Sequence, residues 1–221
     1  MSDEYLIPKD VRDVPRPFLI VCEGMSDVRF IGSLLEHIGI TTCSVGCPSR
    51  EGLGNSIPRY LQGIRAITLG KESFRGILII IDANDKPTQQ FTTIQQALRN
   101  ANFPAPEKPF SVEGDLFRVA VFLIPRKGEN GTLEKLLLEA ALENRPDMQT
   151  CLDNFCDCTR SVKTWTTNQQ AKMRLSALVA ASCQDNPWAS AGIMWSEPGN
   201  PVPIESECFN HIADFLKIFV S

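Results

Sequence analysis

Unbroken apolar runs alternate, over the first two thirds of the chain, with stretches in which apolar residues recur every three or four positions. Such a run is typical of a strand covered on both faces of a parallel sheet, and the wider spacing is typical of an amphipathic helix. The runs predict strands at residues 17–24, 75–82 and 116–125, with a weaker strand at 41–45. The wider spacing predicts helices at residues 26–40, 58–69, 86–102 and 131–143.

This alternation of strand and helix predicts an α/β fold, with a mostly parallel sheet between two helical layers. Local signals at the helix starts agree with the prediction. Ser26 and Thr132 are suitable N-cap residues, and Pro87 stands at a position in the first turn where proline is tolerated.

The pattern changes after residue 146. Residues 147–221 contain helical patterns and no convincing strand, and they predict a last helix at about residues 205–219. We therefore expect an α/β domain at residues 1–146, and a helical C-terminal extension at residues 147–221 that packs on the same core.

Composition and charge narrow the classes of function. Hydrophobic residues make up 43% of the chain and charged residues 22%, which is ordinary for a globular protein. There is no apolar stretch of the roughly 18 residues that a membrane span needs, and the charged, proline-broken N-terminus lacks the core of a signal peptide. These features predict a cytoplasmic location without a membrane partner. Because the net charge is −4, binding to nucleic acid would need a local basic patch or bound cations.

The eight cysteines predict free thiols, since the chain lacks a leader and none of their spacings is the C-x2-C pair of a zinc ribbon. A structural zinc site is not expected.

Acidic residues follow three of the predicted strands. Glu23 ends the first strand, Asp82 ends the strand at residues 75–82, and Glu134 lies in the first turn after the strand at 116–125. Asp27 and Asp85 stand close behind the first two. The carboxyl ends of parallel strands share one edge of a sheet, where ligands usually bind. Clustered carboxylates repel one another unless a cation neutralises them, and oxygen ligands suit a hard divalent ion such as Mg²⁺.

A structural interpretation competes with this one for some of the acids. Asp and Glu are favoured at helix N-termini, so capping alone accounts for Asp27, Asp85 and Glu134. Glu23 and Asp82 terminate apolar strands instead, and they favour a functional edge.

Three motifs, read in order, resemble a known family. The segments "EGMSD", "IDAND" and "FLIPRKGENGTLE" within residues 17–145 are similar to the Toprim domain of topoisomerases, primases and OLD-type nucleases. The closest similarity is to the OLD-like branch and its small stand-alone uncharacterised relatives. The resemblance implies a Rossmann-like, three-layer α/β/α Toprim fold and nuclease chemistry on phosphodiesters that depends on one or two Mg²⁺ or Mn²⁺ ions.

The resemblance also implies roles for individual residues. Glu23 and Asp27 would serve one metal ion or its surroundings, Asp82 would be the leading ligand of the other, and Glu134 would contribute a further acid. The family's second acid of Asp-x-Asp is Asn84 here, with Asp85 one position later. Asn84 and Asp85 are therefore expected as weaker metal ligands, and both an active and an impaired enzyme stay open.

Basic residues complete the predicted site. OLD-like nucleases use a lysine from a later segment, for which Lys172 or the nearby Lys163 is the candidate. Arg126 and Lys127 leave the last strand at the same edge and are candidates for holding phosphate. The chain has no G-x-x-x-x-G-K-[ST] motif, so any nucleotide-driven switching would need a separate ATPase partner.

Two functions remain open at this point. The first is a metal-dependent nuclease that hydrolyses nucleic acid. The alternative is a non-catalytic module that keeps the Toprim scaffold for contact with protein or nucleic acid, which Asn84 and the acidic net charge favour.

Overall fold

A five-stranded sheet forms the centre of the protein, as seen in a computed structural model that describes residues 16–48, 57–68 and 73–221. The strands lie in the order β2-β1-β3-β5-β4, and all neighbours are parallel except β4 and β5. β3 is therefore central, as its unbroken apolar run predicts. The bounds are β1 (Phe18–Cys22), β2 (Cys43–Gly46), β3 (Gly76–Asp82), β4 (Val112–Glu113) and β5 (Arg118–Ile124).

Helices connect the strands and make up most of the chain after β5. Their bounds are α1 (Met25–His37), α2 (Ile57–Thr68), α3 (Pro87–Asn100), α4 (Leu133–Asn144), α5 (Met148–Cys158), α6 (Ser161–Thr164), α7 (Thr167–Ser182) and α8 (Asn210–Val220). Short 3-10 turns occupy Met194–Ser196 and Glu207–Phe209.

The two faces of the sheet have separate hydrophobic cores. Side chains alternate between the faces along a strand, so Ile77 and Ile79 belong to one core and Leu78 and Ile80 to the other. Helices α2 and α3 cover the first face, while α1, α4, α7 and α8 contribute to the second. The fold is therefore mixed α/β with a mostly parallel sheet, and it is compatible with a three-layer arrangement.

Residues 147–221 contain helices α5 to α8 and no strand, as the pattern predicts, while residues 183–206 are mostly turns. Their last helix, α8, ends at the amino edge of the sheet, where the ring of Phe219 contacts the ring of Phe18 at 5.3 Å between centroids. The Arg118 guanidinium donates to the carbonyls of Ile218 and Phe219, at 3.2 and 2.9 Å. In the part of the chain that the structure describes, no helix is long and apolar enough to cross a membrane.

The structure corrects three details of the sequence prediction. Ser26 is not the N-cap of α1, because the helix begins one residue earlier and Gly24 takes that position, with its N–H bonded to the Asp27 carboxylate at 2.9 Å. Strand β4 was not predicted, since two residues are too few for a pattern. The last helix begins at Asn210 rather than 205, because a 3-10 turn precedes it. The predicted end of α2 at Leu69 lies outside the described residues.

The strand order reverses at one point in the sheet. The chain runs from β1 to β2 on one side and then to β3 on the other side of β1. In open α/β sheets, ligands bind in the crevice at the carboxyl ends of the two strands that flank such a reversal. Here those strands are β1 and β3, the strands that deliver Glu23 and Asp82.

Candidate metal centre

Hydrogen bonds join the three predicted strand-end segments at the carboxyl edge of the sheet. The Asp82 N–H donates to Glu23 Oε2 at 3.3 Å, which connects β3 to the exit of β1. The Leu133 N–H donates to Asp82 Oδ1 at 2.8 Å, which connects β3 to the first turn of α4. Glu134 follows directly in that turn. The structure therefore brings together Glu23, Asp82 and Glu134, which are far apart in sequence.

Asp27 belongs to the same group of acids. It lies in the first turn of α1, where its carboxylate caps the helix, and its residue is only 8% exposed. Burial, assisted by the nearby charges of Glu23 and Glu134, raises the pKa of Asp27 to about 7. Asp27 therefore caps the helix, as the structural interpretation predicts, and it is also one of the acids at this edge of the sheet.

The acidic group is short of positive charge. Burial, followed by the charges of Asp27, Glu23 and Glu134, raises the pKa of Asp82 well above its ordinary value. One oxygen of Glu134, Oε2, is buried without a hydrogen-bond partner. The other, Oε1, lies 3.6 Å from Lys172 Nζ. Such a concentration of buried carboxylates is unfavourable until a cation joins it.

Lys172 is the candidate lysine that the structure brings to this site. It extends from α7 to Glu134, with 56% of its side chain exposed. Lys163, the other candidate, is exposed on α6 and forms no ion pair with any of the described residues.

Asn84 has a backbone role that the sequence did not reveal. Its φ of +50° lies in the left-handed region, which asparagine tolerates better than most residues. Its N–H donates to the Gly131 carbonyl at 2.8 Å, and its carbonyl accepts from the Gly131 N–H at 3.0 Å. This pair of bonds, the Asn84–Gly131 bridge, ties the loop after β3 to the loop after β5. Asp85 is exposed, and its carboxylate makes no hydrogen bond or ion pair within the described residues.

Arg126 and Lys127 differ in their surroundings. Arg126 Nη2 lies 2.7 Å from Glu139 Oε1, and its Nη1 lies 3.5 Å from Glu129 Oε1, so two carboxylates already neutralise its charge. Lys127 is exposed at the same edge, and no carboxylate of the described residues pairs with it. Of the two predicted phosphate-holding residues, Lys127 is the one with an uncompensated charge.

A second group of ligand-type side chains escaped the sequence reasoning. Single ligand atoms of Glu139, Glu143 and Cys208 all lie within 4.8 Å of one another, a spacing at which they could hold a metal ion. The four acids of the strand-end group do not meet this spacing in the described part of the chain. The i, i+4 spacing of Glu139 and Glu143 on α4 was visible in the sequence, but Cys208 approaches only through the fold. Burial raises the pKa of the Cys208 thiol to about 11.

Comparisons with known proteins place the chain in a family. A family model described as "Protein of unknown function (DUF3226)" matches residues 17–220. Neither the curated proteins nor the solved structures contain a significant match. Since the matched residues cover the whole α/β sheet and nearly all of the helical C-terminal part, the chain belongs to the DUF3226 family.

Proposed function

We propose that the protein is a Mg²⁺- or Mn²⁺-dependent phosphodiester hydrolase that acts on nucleic acid, with a Toprim fold of the OLD-like type. The observation that carries the proposal is the pair of hydrogen bonds that joins Glu23 to Asp82 and Asp82 to the turn of Glu134. They assemble three acids at the crevice where the strand order reverses, in the same order along the chain as the Toprim motifs.

The residues present suit a hard divalent ion. Such ions take carboxylate oxygens as ligands, and the buried Glu134 Oε2 has no other partner. The ligands in this proposal are Glu23, Asp82 and Glu134, with Asp27 beside them. Asn84 is not a ligand in this proposal, because its left-handed backbone conformation is sufficient reason for an asparagine at this position. Asp85 is not a ligand either, because it is exposed.

Each side chain has a separate task in the reaction. A bound divalent ion would activate a water molecule and stabilise negative charge on the scissile phosphate. Asp82 is held in orientation by the Leu133 N–H, so its free oxygen keeps one direction. Lys172 supplies the mobile positive charge near Glu134, where it would neutralise the phosphate during cleavage.

Cleavage of nucleic acid tests the proposal directly. The full chain is expected to nick plasmid DNA or degrade single strands with Mn²⁺ or Mg²⁺, and not with EDTA. Asp82→Asn keeps the side-chain size and removes the charge, so activity should fall about 100-fold or more, which is at least the upper end of the loss that outer-shell partners of a metal cause. Asp115→Asn is the matched control, because Asp115 is exposed beside the amino end of β5. Cleavage that survives Asp82→Asn, or that falls equally in both variants, would contradict the proposal.

Replacement of Lys172 separates catalysis from stability. Its ion pair with Glu134 is long and half exposed, so Lys172→Met should change the free energy of unfolding by less than about 1 kcal/mol. Cleavage should fall roughly 10-fold or more, because a charge aimed at the phosphate is lost. Lys163→Met, an exposed lysine on the neighbouring α6, should leave both quantities unchanged. Equal rates for the two variants would remove Lys172 from the site.

A non-catalytic scaffold is the second candidate, and two observations favour it. Glu23 and Asp82 each use an oxygen to accept a backbone N–H, and the ligand atoms of the acidic group are not compactly spaced. If neither Mg²⁺ nor Mn²⁺ raises the melting temperature of the full chain, and no cleavage occurs, the interaction module replaces the nuclease.

A further inference from the structure

A cavity of about 400 Å³ opens at the carboxyl edge of the sheet, beside the acidic group. It lies between the first turn of α3, the loop after β5 and residues 108–110. Its volume is within the roughly 300–1,000 Å³ of ligand pockets and suits a small occupant. None of the strand-end acids lines it, so it is a separate feature from the candidate metal centre.

The cavity has an apolar floor. Phe91, Phe110 and Leu123 line it together with two prolines. Phe91 and Leu123 are almost fully buried, whereas Phe110 is only partly buried. A floor with an accessible aromatic ring suits a flat, weakly polar group such as a nucleobase, because any base has a π face that can stack.

The rim of the cavity is cationic. Lys108 and Lys127 are exposed there, and neither has a carboxylate partner among the residues that the structure describes. Glu129, the acid that the described residues place on the rim, is neutralised by Lys135 Nζ at 2.9 Å and by Arg126. The first turn of the 14-residue helix α3 also lines the cavity and adds partial positive charge. The rim is thus complementary to a phosphate.

The backbone of Phe110 supports a binding role for this cavity. Its φ of +63° places a bulky residue in the left-handed region, which is a strained conformation. The Phe110 N–H donates to the Val121 carbonyl at 2.9 Å, and the ring packs edge-on against Phe122 at 4.9 Å. These contacts hold the ring in place where the cavity opens. Strain of this kind is retained mainly at functional positions.

The Asn84–Gly131 bridge sets the position of the cavity relative to the acids. It joins the loop that follows Asp82 to the loop that carries Lys127, and so the two features are neighbours on one edge. We infer that the cavity binds one unpaired nucleotide of the substrate strand, with its base on Phe110 and its phosphate at Lys108 and Lys127. That this nucleotide is part of a substrate rests on the proposed function. A base must leave a duplex to enter such a cavity, so single strands should be preferred.

Binding of a mononucleotide, measured by calorimetry in EDTA, tests the inference without metal or cleavage. The probe is 5′-dAMP, with deoxyribose 5-phosphate as the probe that lacks a base. The full chain should bind 5′-dAMP at least about tenfold more tightly than the sugar phosphate, since stacking of a base is worth about tenfold or more. Thr88→Trp fills the cavity from an exposed position on α3, and Lys127→Glu reverses one rim charge. Each should weaken binding of 5′-dAMP about tenfold or more.

Lys217→Glu is the matched control for charge, because Lys217 lies on α8 at the opposite edge, and it should bind as the unmodified chain does. Equal affinity for the two probes, or unchanged binding by Thr88→Trp, would overturn the inference. So would the absence of binding at millimolar 5′-dAMP. These failures are distinct from failure of the proposed function, because cleavage that depends on Asp82 could persist with an empty cavity. Melting curves of Thr88→Trp and Lys127→Glu show whether both variants are folded.

Discussion

Asp27→Asn is expected to stabilise the metal-free protein by up to about 4 kcal/mol at pH 8. The pKa of Asp27 rises from its ordinary 3.8 to about 7 on folding, and each pH unit of such a difference corresponds to about 1.4 kcal/mol. Above pH 7 the folded chain must hold this buried carboxylate in its ionised form. Asparagine removes the charge and keeps an oxygen that can accept the Gly24 N–H.

The pH dependence of this effect has a definite sign. A carboxyl group whose pKa is raised by folding binds more protons in the folded state, so stability falls as the pH rises. The stability that the protonated Asp27 side chain contributes is therefore fully present below about pH 4, and it is lost as the pH rises from 4 to 7. The difference in the free energy of unfolding between Asp27→Asn and the unmodified chain should be near zero at pH 4 and largest at pH 8. Denaturant unfolding in EDTA at several pH values measures it.

Metal ions should reduce this difference in stability. If the acids bind a divalent ion, a concentration 100-fold above the dissociation constant adds about 2.7 kcal/mol to the stability of the unmodified chain. Asp27→Asn should gain less, because its site has lost a negative charge. Asp115→Asn, at an exposed position beside the amino end of β5, is the control and should show neither effect. The metal-free Asp27→Asn variant and the unmodified chain could instead show the same dependence of stability on pH. That result would mean that Asp27 is not a buried, proton-binding carboxyl group.

Phe122→Ala is expected to destabilise the protein by about 3–5 kcal/mol, as is usual for removal of a buried phenylalanine. Phe122 lies on β5 and is 2% exposed. Its ring contacts Phe215 of α8 at 5.1 Å and Phe110 at 4.9 Å between centroids. It also stacks on His211, which is anchored through Nε2 to the Pro125 carbonyl at 2.8 Å. The cavity left by the substitution would therefore lie between the sheet and the C-terminal helix.

The same measurement tests whether residues 147–221 fold together with the sheet. Urea unfolding of Phe122→Ala should stay a single transition, with a lower midpoint and the same slope. Two separate transitions would mean that the C-terminal part unfolds on its own. Phe155→Ala is the matched control: Phe155 is 45% exposed on α5, and its loss should change the free energy of unfolding by less than about 1 kcal/mol.

The sequence predicts the sheet well because its strands have an unambiguous pattern. The five consecutive aliphatic residues at 77–81 need cover on both faces, and only a central strand provides it. The edge strand β4 has two half-exposed or exposed residues and no such pattern. The N-cap of α1 was placed at Ser26 from residue preference, but the carboxylate of Asp27 bonds to the Gly24 N–H and the helix begins at Met25.

The candidate site was predictable only in part. Glu23 and Asp82 are visible in the sequence because each ends an apolar strand, and parallel strands bring such ends to one edge. The conformation of Asn84 depends on its bonds to Gly131, 47 positions later, which no local pattern reveals. The same limit applies to the approach of Cys208 to Glu139 and Glu143. Arg126 looked available for phosphate, because its carboxylate partner Glu139 lies on a later helix.

The bonds of Arg118 to the last turn of α8 have a practical consequence for experiments on surfaces. They fix the C-terminal residue, Ser221, close to the start of β5, at the end of the sheet away from Glu23 and Asp82. A biotin tag or resin linker attached after Ser221 would therefore tether the protein with its acidic crevice turned toward the solution. Immobilised in that orientation, the protein would keep the crevice open to the long nucleic acids of the proposed function, without obstruction by the support.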